Sequence, residues 1–368
     1  MKITKLKVNT NNNKYSIIIG SGIINKLSKI LNQNSIKFNK SLLIIDSKVP
    51  KVLVKKIIKS LSKKKNFFHF FKASELNKNQ TNVNKILETL LKNNFHRNDC
   101  LISVGGGIVG DVSGFAASIF KRGIKFINIP TTLLAQVDSS IGGKTGINTS
   151  SGKNLIGSFY QPSIVISDTN FLKTLPKREI ICGYGEILKH SIISNKQFFL
   201  FLNKNASKIL NLKTPFIEKS IYQSCLIKKK IVQKDEKEKN LRKVLNFGHT
   251  FAHAYEASLK YSKKLNHGEA VIMGIMSASK FSLKNNLLSK NEFQLINNHL
   301  NKFKIKMSPK KYFSINNFKT IISFMNKDKK NNSDKINLIL LKKIGSPIID
   351  LKFNQKKISS FIKNELKN

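Results

Sequence analysis

The residues of this sequence best suited to metal chemistry are three neighbouring histidines, His249, His253 and His267. His249 and His253 are four residues apart, so they would share one face of a helix. Imidazole nitrogens bind divalent metals, and Glu186 in GYGEILKH is the best candidate for a carboxylate ligand. Three protein ligands would leave one position open for substrate, as in catalytic zinc sites. His190 is a competing candidate for a ligand. The alternative is that His249 and His253 are a hydrogen-bonded pair in a helical core without a metal.

We interpret the remaining histidines as structural: His69, His96 and His299.

A glycine-rich turn follows the apolar run CLISV at 100–104, which predicts a strand. The turn, Gly105 to Gly110, satisfies GxGxxG between a strand and a predicted helix. Glycine lets the backbone approach a pyrophosphate, and a helix N-terminus offers it unpaired N–H groups. The acidic residue expected about twenty positions later is missing, so Asp46 is the alternative partner for an adenine ribose. The pattern favours nucleotide binding over a tight turn without a ligand.

A second glycine-rich stretch carries DSSIGGK at 138–144 and SGKN at 151–154. Backbone amides beside the ammonium groups of Lys144 and Lys153 predict an anion site, and a solvated flexible loop is the alternative. The basic residues of the chain number 66, of which all but four are lysine, yet the window 104–161 contains only four lysines. A nucleotide site, an anion loop and an open metal site together indicate a polyol-phosphate oxidoreductase or lyase. The metal would polarise a hydroxyl or carbonyl, and a nicotinamide would accept hydride.

The net charge of +46 taken alone suggests a nucleic acid partner or an anionic surface. The lysine excess is spread along the whole chain, and arginine, whose planar fork recognises bases and phosphates, is scarce. We therefore interpret the charge as compositional and expect no specific nucleic acid partner. A binding protein that uses its charge on nucleic acid remains the alternative from another functional class.

The expected location is the cytoplasm. Cys100, Cys182 and Cys225 form no CxxC pair and are expected to be thiols in a reducing compartment. The N-terminal residues lack the apolar core of a signal peptide, and no apolar run of about 18 residues predicts a membrane span.

Strands and helices alternate in the first half of the chain, which predicts an α/β fold with a parallel sheet. Residues 1–20 predict a hairpin; further strands are expected at 41–46, 66–71, 100–104, 125–130 and 163–168, and helices at 51–61, 83–93 and 108–120. From Pro176 helical patterns dominate until the apolar run at 336–341, and a final helix ends the chain. We therefore predict a Rossmann-like NAD-binding domain over 1–175 and an α-helical metal- and substrate-binding domain over 176–368.

Several motifs closely resemble those of 3-dehydroquinate synthases, in the same order along nearly the whole chain: GGGIVGDVSGFAAS, RGIKFINIPTTLLAQVDSSIGGKTGIN, GKNLIGSFYQP, FLKTLPKREI, GYGEILKH, LRKVLNFGHTFAHA and HGEAV. The resemblance implies a phosphate-eliminating lyase of the shikimate pathway. Its substrate would be 3-deoxy-D-arabino-heptulosonate 7-phosphate, and its products 3-dehydroquinate and phosphate. NAD and one divalent metal, zinc or cobalt, would serve transient oxidation, phosphate elimination, reduction and intramolecular aldol closure.

The resemblance also implies a role for individual residues. It makes Glu186, His249 and His267 the metal ligands, moves His253 to the substrate side, and removes His190 from the ligand set. The NAD-binding residues it implies are Asp46, Glu75, Lys78, Gly106, Gly107, Gly110, Asp111, Thr131, Thr132, Lys144, Lys153, Phe171, Leu172, Lys173 and Thr174. The segment ASELNK at 73–78 departs from the acidic, glycine-containing turn of the family.

For the substrate, the resemblance implies that Lys228 and Arg242 bind the carboxylate. The phosphate would contact Lys144, Asn154, Asn246 and either Lys329 or Lys330. Arg122 would reach the phosphate across the interface of a homodimer. The implied catalytic residues are Asp138, Lys144, Lys189, Glu238 and His253. Two alternatives remain open, a related sugar-phosphate cyclase and a metal-dependent polyol dehydrogenase, although a paired Lys228 and Arg242 favour a substrate with a carboxylate.

Overall fold

The computed structural model describes residues 3–11, 13–326 and 335–367. Its strands are β1 (Thr4–Asn9), β2 (Lys14–Gly20), β3 (Lys40–Asp46), β4 (Lys65–Phe71), β5 (Cys100–Gly105), β6 (Lys125–Pro130), β7 (Lys144–Thr149), β8 (Gly152–Phe159), β9 (Ile164–Asp168), β10 (Lys335–Lys343) and β11 (Ser346–Asn354). Its helices are α1 (Leu27–Gln33), α2 (Lys51–Ser60), α3 (Gln80–Lys92), α4 (Gly107–Ile119), α5 (Lys177–Ser194), α6 (Lys196–Leu210), α7 (Phe216–Lys234), α8 (His249–Ser258), α9 (His267–Lys284), α10 (Lys290–Lys302), α11 (Phe318–Asn326) and α12 (Gln355–Lys367).

The chain divides into two compact units. The first is Met1–Ile180 with Leu212–Lys237, and the second is Ile181–Asn211 with Glu238–Asn368. The return segment Leu212–Lys237 contains α7, which packs on β1, β2 and the turn at 135–139. The predicted domain boundary at 175/176 stays a prediction. It did not include the segment Leu212–Lys237 in the first domain.

The first unit is built on a seven-stranded sheet in the order β1-β2-β9-β6-β5-β3-β4. Only the pairing of β1 with β2 is antiparallel, and the other neighbours run parallel. The runs in β3 and β5 are buried on both faces because successive side chains alternate between two apolar layers. Leu43 and Ile102 pack into one layer, and Leu42 and Leu101 into the other. The predicted α/β fold with a parallel sheet is confirmed.

A separate two-stranded hairpin, β7–β8, stands where the sequence predicted a loop. Its strands are rich in glycine, serine and asparagine, so their composition indicates a loop although they pair. The two strands approach closely at Gly157, where a Cβ would lie 2.1 Å from the carbonyl oxygen of Thr145. Lys144 therefore begins a strand, and Lys153 and Asn154 lie in the strand opposite.

The second unit is predominantly helical, as expected. Helix α9 is buried along almost its whole length and packs on α8, α10 and β10. The apolar run at 336–341 forms part of β10, which pairs with β11, a strand that the sequence did not predict. The expected final helix is α12. None of the helices in the described ranges has the length and apolar composition that a membrane crossing requires. Lys329 and Lys330 lie outside the described residues.

Candidate metal centre and ligand-binding residues

Three of the predicted ligands come together in the second unit. Glu186 lies on α5, His249 is the first residue of α8, and His267 is the first residue of α9. Oε1 of Glu186 is 3.7 Å from Nε2 of His249 and 3.6 Å from Nε2 of His267. Donor atoms bound at about 2.1 Å to a tetrahedral zinc lie about 3.4 Å apart, so this group needs little movement to hold one. The side chains therefore fit a divalent metal.

His253 and His190 have different positions from these three. The His253 ring is 5.2 Å from that of His249 and 6.2 Å from that of His267, but His253 is exposed. His190 is buried one turn after Glu186 on α5. A second set of donor atoms, from His253, Glu256 and His267, also lies within 4.8 Å of one another. The Nε2 atom of His267 faces Glu186 and its Nδ1 faces Glu256, which favours the set that includes Glu186.

Buried charges set the electrostatics of this group. Burial alone would lower the pKa of His267, but the carboxylates of Glu256 and Glu186 outweigh it and raise the pKa to about 10. Burial, with the positive charge of Lys189, holds the pKa of His249 well below its usual range. The Nζ atom of Lys189 is 2.5 Å from Oε2 of Glu186, and both side chains are buried. Lys189, a predicted catalytic residue, thus contacts the carboxylate of the predicted ligand Glu186 directly.

Glycines fix the positions of the helices that carry the predicted ligands. Gly248 and Gly268 are neighbours in sequence of His249 and His267. A Cβ on Gly268 would lie 2.2 Å from the carbonyl oxygen of Cys182, and one on Gly274 would lie 2.1 Å from that of Gly248. Gly248 also has φ 79°, in the left-handed region that glycine adopts without strain. Backbone contacts without side chains therefore fix α9 against both α5 and α8.

Other predicted substrate residues of the second unit lie around the short helical turn Leu241–Asn246. Nδ2 of Asn246 donates to Oε1 of Glu238 at 2.7 Å. Glu238 has φ 57°, a strained conformation for a residue with a side chain. Arg242 is 2% exposed, so its planar guanidinium is a buried cation. A buried arginine of this kind binds carboxylates through paired hydrogen bonds.

In the first unit the glycine-rich turn takes the predicted form. β5 ends at Gly105, and α4 begins at Gly107, so the free N–H groups of the helix face the end of the sheet. A Cβ on Gly107 would lie 2.9 Å from Oγ of Ser139, and one on Gly106 would lie 3.2 Å from Cγ2 of Thr132. A side chain at Gly107 would therefore collide with Ser139, and one at Gly106 would be crowded by Thr132. The other predicted cofactor residues near this end of the sheet are Asp46, at the end of β3, and Thr131, directly after β6.

Two lysines of the first unit hold predicted site residues. Nζ of Lys78 is 2.5 Å from Oδ2 of Asp111 and 2.5 Å from Oδ1 of Asn154. Nζ of Lys228, on α7, is 2.7 Å from Oδ1 of Asp138 and 2.8 Å from its carbonyl oxygen. Asp138 lies in a wide π-type helical turn, Ala135–Ser139, a geometry frequent at functional sites.

The remaining predicted residues are more scattered. Lys153 pairs with Glu75 at 3.1 Å, so the atypical segment at 73–78 contacts the hairpin β7–β8. Phe171 and Leu172 are buried in the turn Thr169–Thr174, whereas Lys173 and Thr174 are exposed. Lys144 and Arg122 are exposed, and Arg122 has φ 63°.

The contacts of two residues, Glu256 and Asn148, were not predicted from the sequence. Glu256 binds His267, and Asn148 binds Glu75 and the backbone of Asn154. Glu256 follows His253 by three residues, one helical turn, and that spacing is the signal that could have identified it.

Comparison with known proteins identifies the family. Residues 69–182 match the model of the 3-dehydroquinate synthase N-terminal domain, and residues 183–331 match that of the C-terminal domain. A 3-dehydroquinate synthase of Pelagibacter ubique (strain HTCC1062) is 65% identical over 366 residues, covering 100% of both chains. One from Alkaliphilus metalliredigens (strain QYMF) is 40% identical and covers 91% of this chain and 92% of its own length.

Solved structures agree with the fold. A 2-deoxy-scyllo-inosose synthase complexed with carbaglucose-6-phosphate, NAD⁺ and Co²⁺ has a TM-score of 0.89 at 25% identity, covering 98% of this chain and 100% of its own. A 2-epi-5-epi-valiolone synthase from Streptomyces hygroscopicus, with NAD⁺ and Zn²⁺ bound, has a TM-score of 0.84 at 21% identity and covers 100% of this chain and 99% of its own. The family models and the full-length curated relatives establish that this chain belongs to the 3-dehydroquinate synthase family.

Proposed function

We propose that Glu186, His249 and His267 hold the divalent metal, zinc or cobalt, with which this 3-dehydroquinate synthase acts. The observation that carries the proposal is the convergence of one carboxylate and two imidazoles from three helices of one unit. Three such donors leave a coordination position for substrate. The reaction converts 3-deoxy-D-arabino-heptulosonate 7-phosphate into 3-dehydroquinate and phosphate, the second step of the shikimate pathway towards chorismate and the aromatic amino acids.

NAD is the second proposed cofactor, and the first unit offers its site. The open N-terminus of α4 suits the pyrophosphate, and Asp46 suits the adenine ribose. When bound, the metal supplies a Lewis acid for the substrate hydroxyl, and NAD supplies a hydride acceptor and donor. The inosose synthase that resembles this chain contains NAD⁺ and Co²⁺, which supports the same cofactor classes here.

The side chains of the chain itself orient the substrate and stabilise charge. In the second unit the buried Arg242 would bind a carboxylate, and Asn246 is held by Glu238. In the first unit Asp138 holds the ammonium of Lys228 in place before any ligand arrives, which lowers the cost of orientation. Lys144 and Asn154 would stabilise the charge of the departing phosphate.

The proposal includes a homodimer in which Arg122 contacts the phosphate bound by the other copy. Arg122 is exposed, and both it and Lys121 have positive φ, so the backbone holds this turn in a strained form. Such strain persists where the surroundings over-determine it, often at functional sites. The proposed location is a reducing compartment, the cytoplasm, because the three cysteines are buried thiols.

The test uses the purified full chain with the heptulosonate phosphate, NAD and zinc. We expect release of one phosphate for each 3-dehydroquinate, with no net NADH. His249→Ala should lose bound metal and activity together, whereas His96→Ala, a change at an exposed histidine, should retain both.

Other outcomes would contradict the proposal. Net NADH from a simple polyol, without phosphate release, would favour the polyol dehydrogenase alternative. Turnover of a different sugar phosphate would favour a sibling cyclase. Unchanged metal content in His249→Ala would remove the ligand assignment.

A further inference from the structure

The side chain of Asn148 joins two segments of the first unit. Its Oδ1 accepts a hydrogen bond from the backbone N–H of Asn154 at 3.1 Å. Its Nδ2 donates to the backbone carbonyl of Glu75 at 3.1 Å and to Oε2 of Glu75 at 2.8 Å. The backbone N–H of Asn148 also donates to the carbonyl of Lys78 at 2.7 Å. Because the oxygen faces a donor and the nitrogen faces two acceptors, only an amide satisfies all three side-chain contacts.

The hairpin is irregular at this position. The pairing of β7 with β8 shifts between Ile147 and Thr149, which leaves Asn148 within a bulge. Bulges change the direction of side chains relative to a regular strand. The bulge thus directs the amide of Asn148 towards the segment 75–78 rather than along the regular face of the hairpin.

Asn154 depends on this contact for its conformation. Its φ of 54° is left-handed, which costs free energy for a residue with a Cβ. Asn148 holds its backbone N–H, and Lys78 holds its Oδ1. Asn154, which is proposed to bind phosphate, is therefore held at its backbone by Asn148 of the hairpin and at its side chain by Lys78 of the proposed NAD-binding segment.

Glu75 depends on Asn148 as well. Its carboxylate is 42% exposed, and an exposed pair with Lys153 contributes little free energy by itself. Burial would raise the pKa of Glu75, but Lys153 and the amide of Asn148 lower it below its usual range. Asn148 thus adds a short directional contact to a weak ion pair.

We infer that Asn148 is a positioning residue that links the proposed NAD-binding segment Glu75–Lys78 to the proposed phosphate-binding Asn154. The inference rests on the proposed function for the identity of the two ligands. One side-chain amide would then influence the binding of both NAD and substrate, although Asn148 is not among the residues proposed to contact either ligand. Loss of that amide should weaken the binding of both ligands and leave the rate of the chemical step nearly unchanged.

The test compares Asn148→Ala, Asn148→Asp and the control Asn34→Ala. The control removes an amide that bonds to the carbonyl of its own helix, at Ile30. The affinity for NAD is measured by calorimetry on the metal-free protein. The KM and kcat for phosphate release are measured on the zinc-loaded enzyme at saturating NAD. Melting temperature is recorded for every variant.

The two substitutions at Asn148 should give different patterns. Asn148→Ala removes all three side-chain contacts, so the NAD Kd and the substrate KM should each rise about tenfold, with kcat changed less than threefold. Asn148→Asp keeps an acceptor for Asn154 but sets a negative charge against Glu75. The NAD Kd should then rise at least as much as in Asn148→Ala, while KM stays within about threefold of wild type.

A merely structural role predicts a different result. It would lower the melting temperature and kcat of both variants, with Kd and KM unchanged, and that outcome overturns the inference. If Asn148→Ala fails to fold, a normal NAD Kd in Asn148→Asp overturns it equally. Absence of NAD binding in the wild type would instead refute the proposed function, while equal binding in wild type and variants would refute only the role of Asn148.

Discussion

The Nδ1 atom of His267 lies 3.0 Å from Oε2 of Glu256, while Nε2 of the same ring faces Glu186. The carboxylate of Glu256 accepts from Nδ1, so Nδ1 keeps its proton and Nε2 is the nitrogen that would release its proton when a metal binds. Glu256 is buried, so water has little access to its carboxylate and competes weakly for this hydrogen bond. The relationship fixes both the tautomer and the ring orientation of one proposed ligand.

Replacement of Glu256 by Gln should therefore weaken metal binding while the three proposed ligands, Glu186, His249 and His267, stay in place. Loss of such a supporting carboxylate typically costs 10–100-fold in metal affinity, so we expect a loss of about that size. Competition with a chromophoric chelator measures it directly. Glu88→Gln, a change on an exposed face of α3, is the control and should bind zinc as the wild type does. Equal affinity in both variants would show that Glu256 does not support His267.

Gly274→Ala should destabilise the second unit, because the new Cβ would lie 2.1 Å from the carbonyl oxygen of Gly248. Overpacking of this kind costs about 1–3 kcal/mol, which lowers Tm by roughly 2–12 °C for a unit of this size. The matched control on the same helix is Ser279→Ala, which removes a buried hydroxyl that has no hydrogen-bond partner among the described residues. Calorimetric melting should show a loss only for Gly274→Ala. A Tm equal to wild type would mean that α8 and α9 can separate without cost.

His299 should make the protein sensitive to acid. Burial, with the charge of Lys302, lowers the pKa of His299 to about 4, against 6.5 for the free side chain. The unfolded chain therefore binds more protons between these values, and the contribution to stability is complete above pH 6.5 and is lost as pH falls towards 4. The difference amounts to roughly 3 kcal/mol.

Urea unfolding between pH 4 and 7 measures this dependence. His299→Gln should flatten the fall in unfolding free energy, although it loses the contacts of the ring with the Tyr184 hydroxyl and with Asn203. His96→Gln, at an exposed position, should keep the wild-type slope. An unchanged slope in His299→Gln would assign the acid sensitivity to other groups.

NAD and zinc should each stabilise the folded chain by mass action. At a ligand concentration one hundred times Kd, the gain is about 2.7 kcal/mol for each ligand. His249→Ala should lose the gain from zinc and keep the gain from NAD, because His249 belongs to the second unit and the proposed NAD residues to the first. Thermal melts with each ligand alone separate the two effects. A variant that lost both gains would contradict the assignment of separate sites.

Local patterns predicted the sheet well and the site only in part. The strands β3 and β5 are continuous apolar runs between turns, so the sequence indicates them directly. The hairpin β7–β8 was missed because its pairing depends on close backbone approach at Gly146 and Gly157 rather than on apolar side chains.

For the proposed metal ligands, local patterns indicated candidates but not their convergence. The spacing of His249 and His253 predicts a shared helix face, and they do share one. Glu186 was predicted as the carboxylate partner from its segment GYGEILKH, but it lies 63 residues before His249 and only tertiary packing brings the two side chains together. Asn148 gave no local signal because it acts through partners on other segments, and Glu256 offered only its spacing of three residues from His253.

The contact of Gly274 with Gly248 has a consequence for how this chain tolerates its unusual composition. The spacing between α8 and α9 is set by main-chain atoms, whose size is the same whatever side chains the rest of the sequence carries. Lysine could thus accumulate over the outer surfaces of the helices without altering the distance between the two histidines that begin them. In this chain the two glycines keep α8 and α9 at a fixed separation, so compositional change elsewhere leaves the spacing of the two proposed metal ligands unaltered.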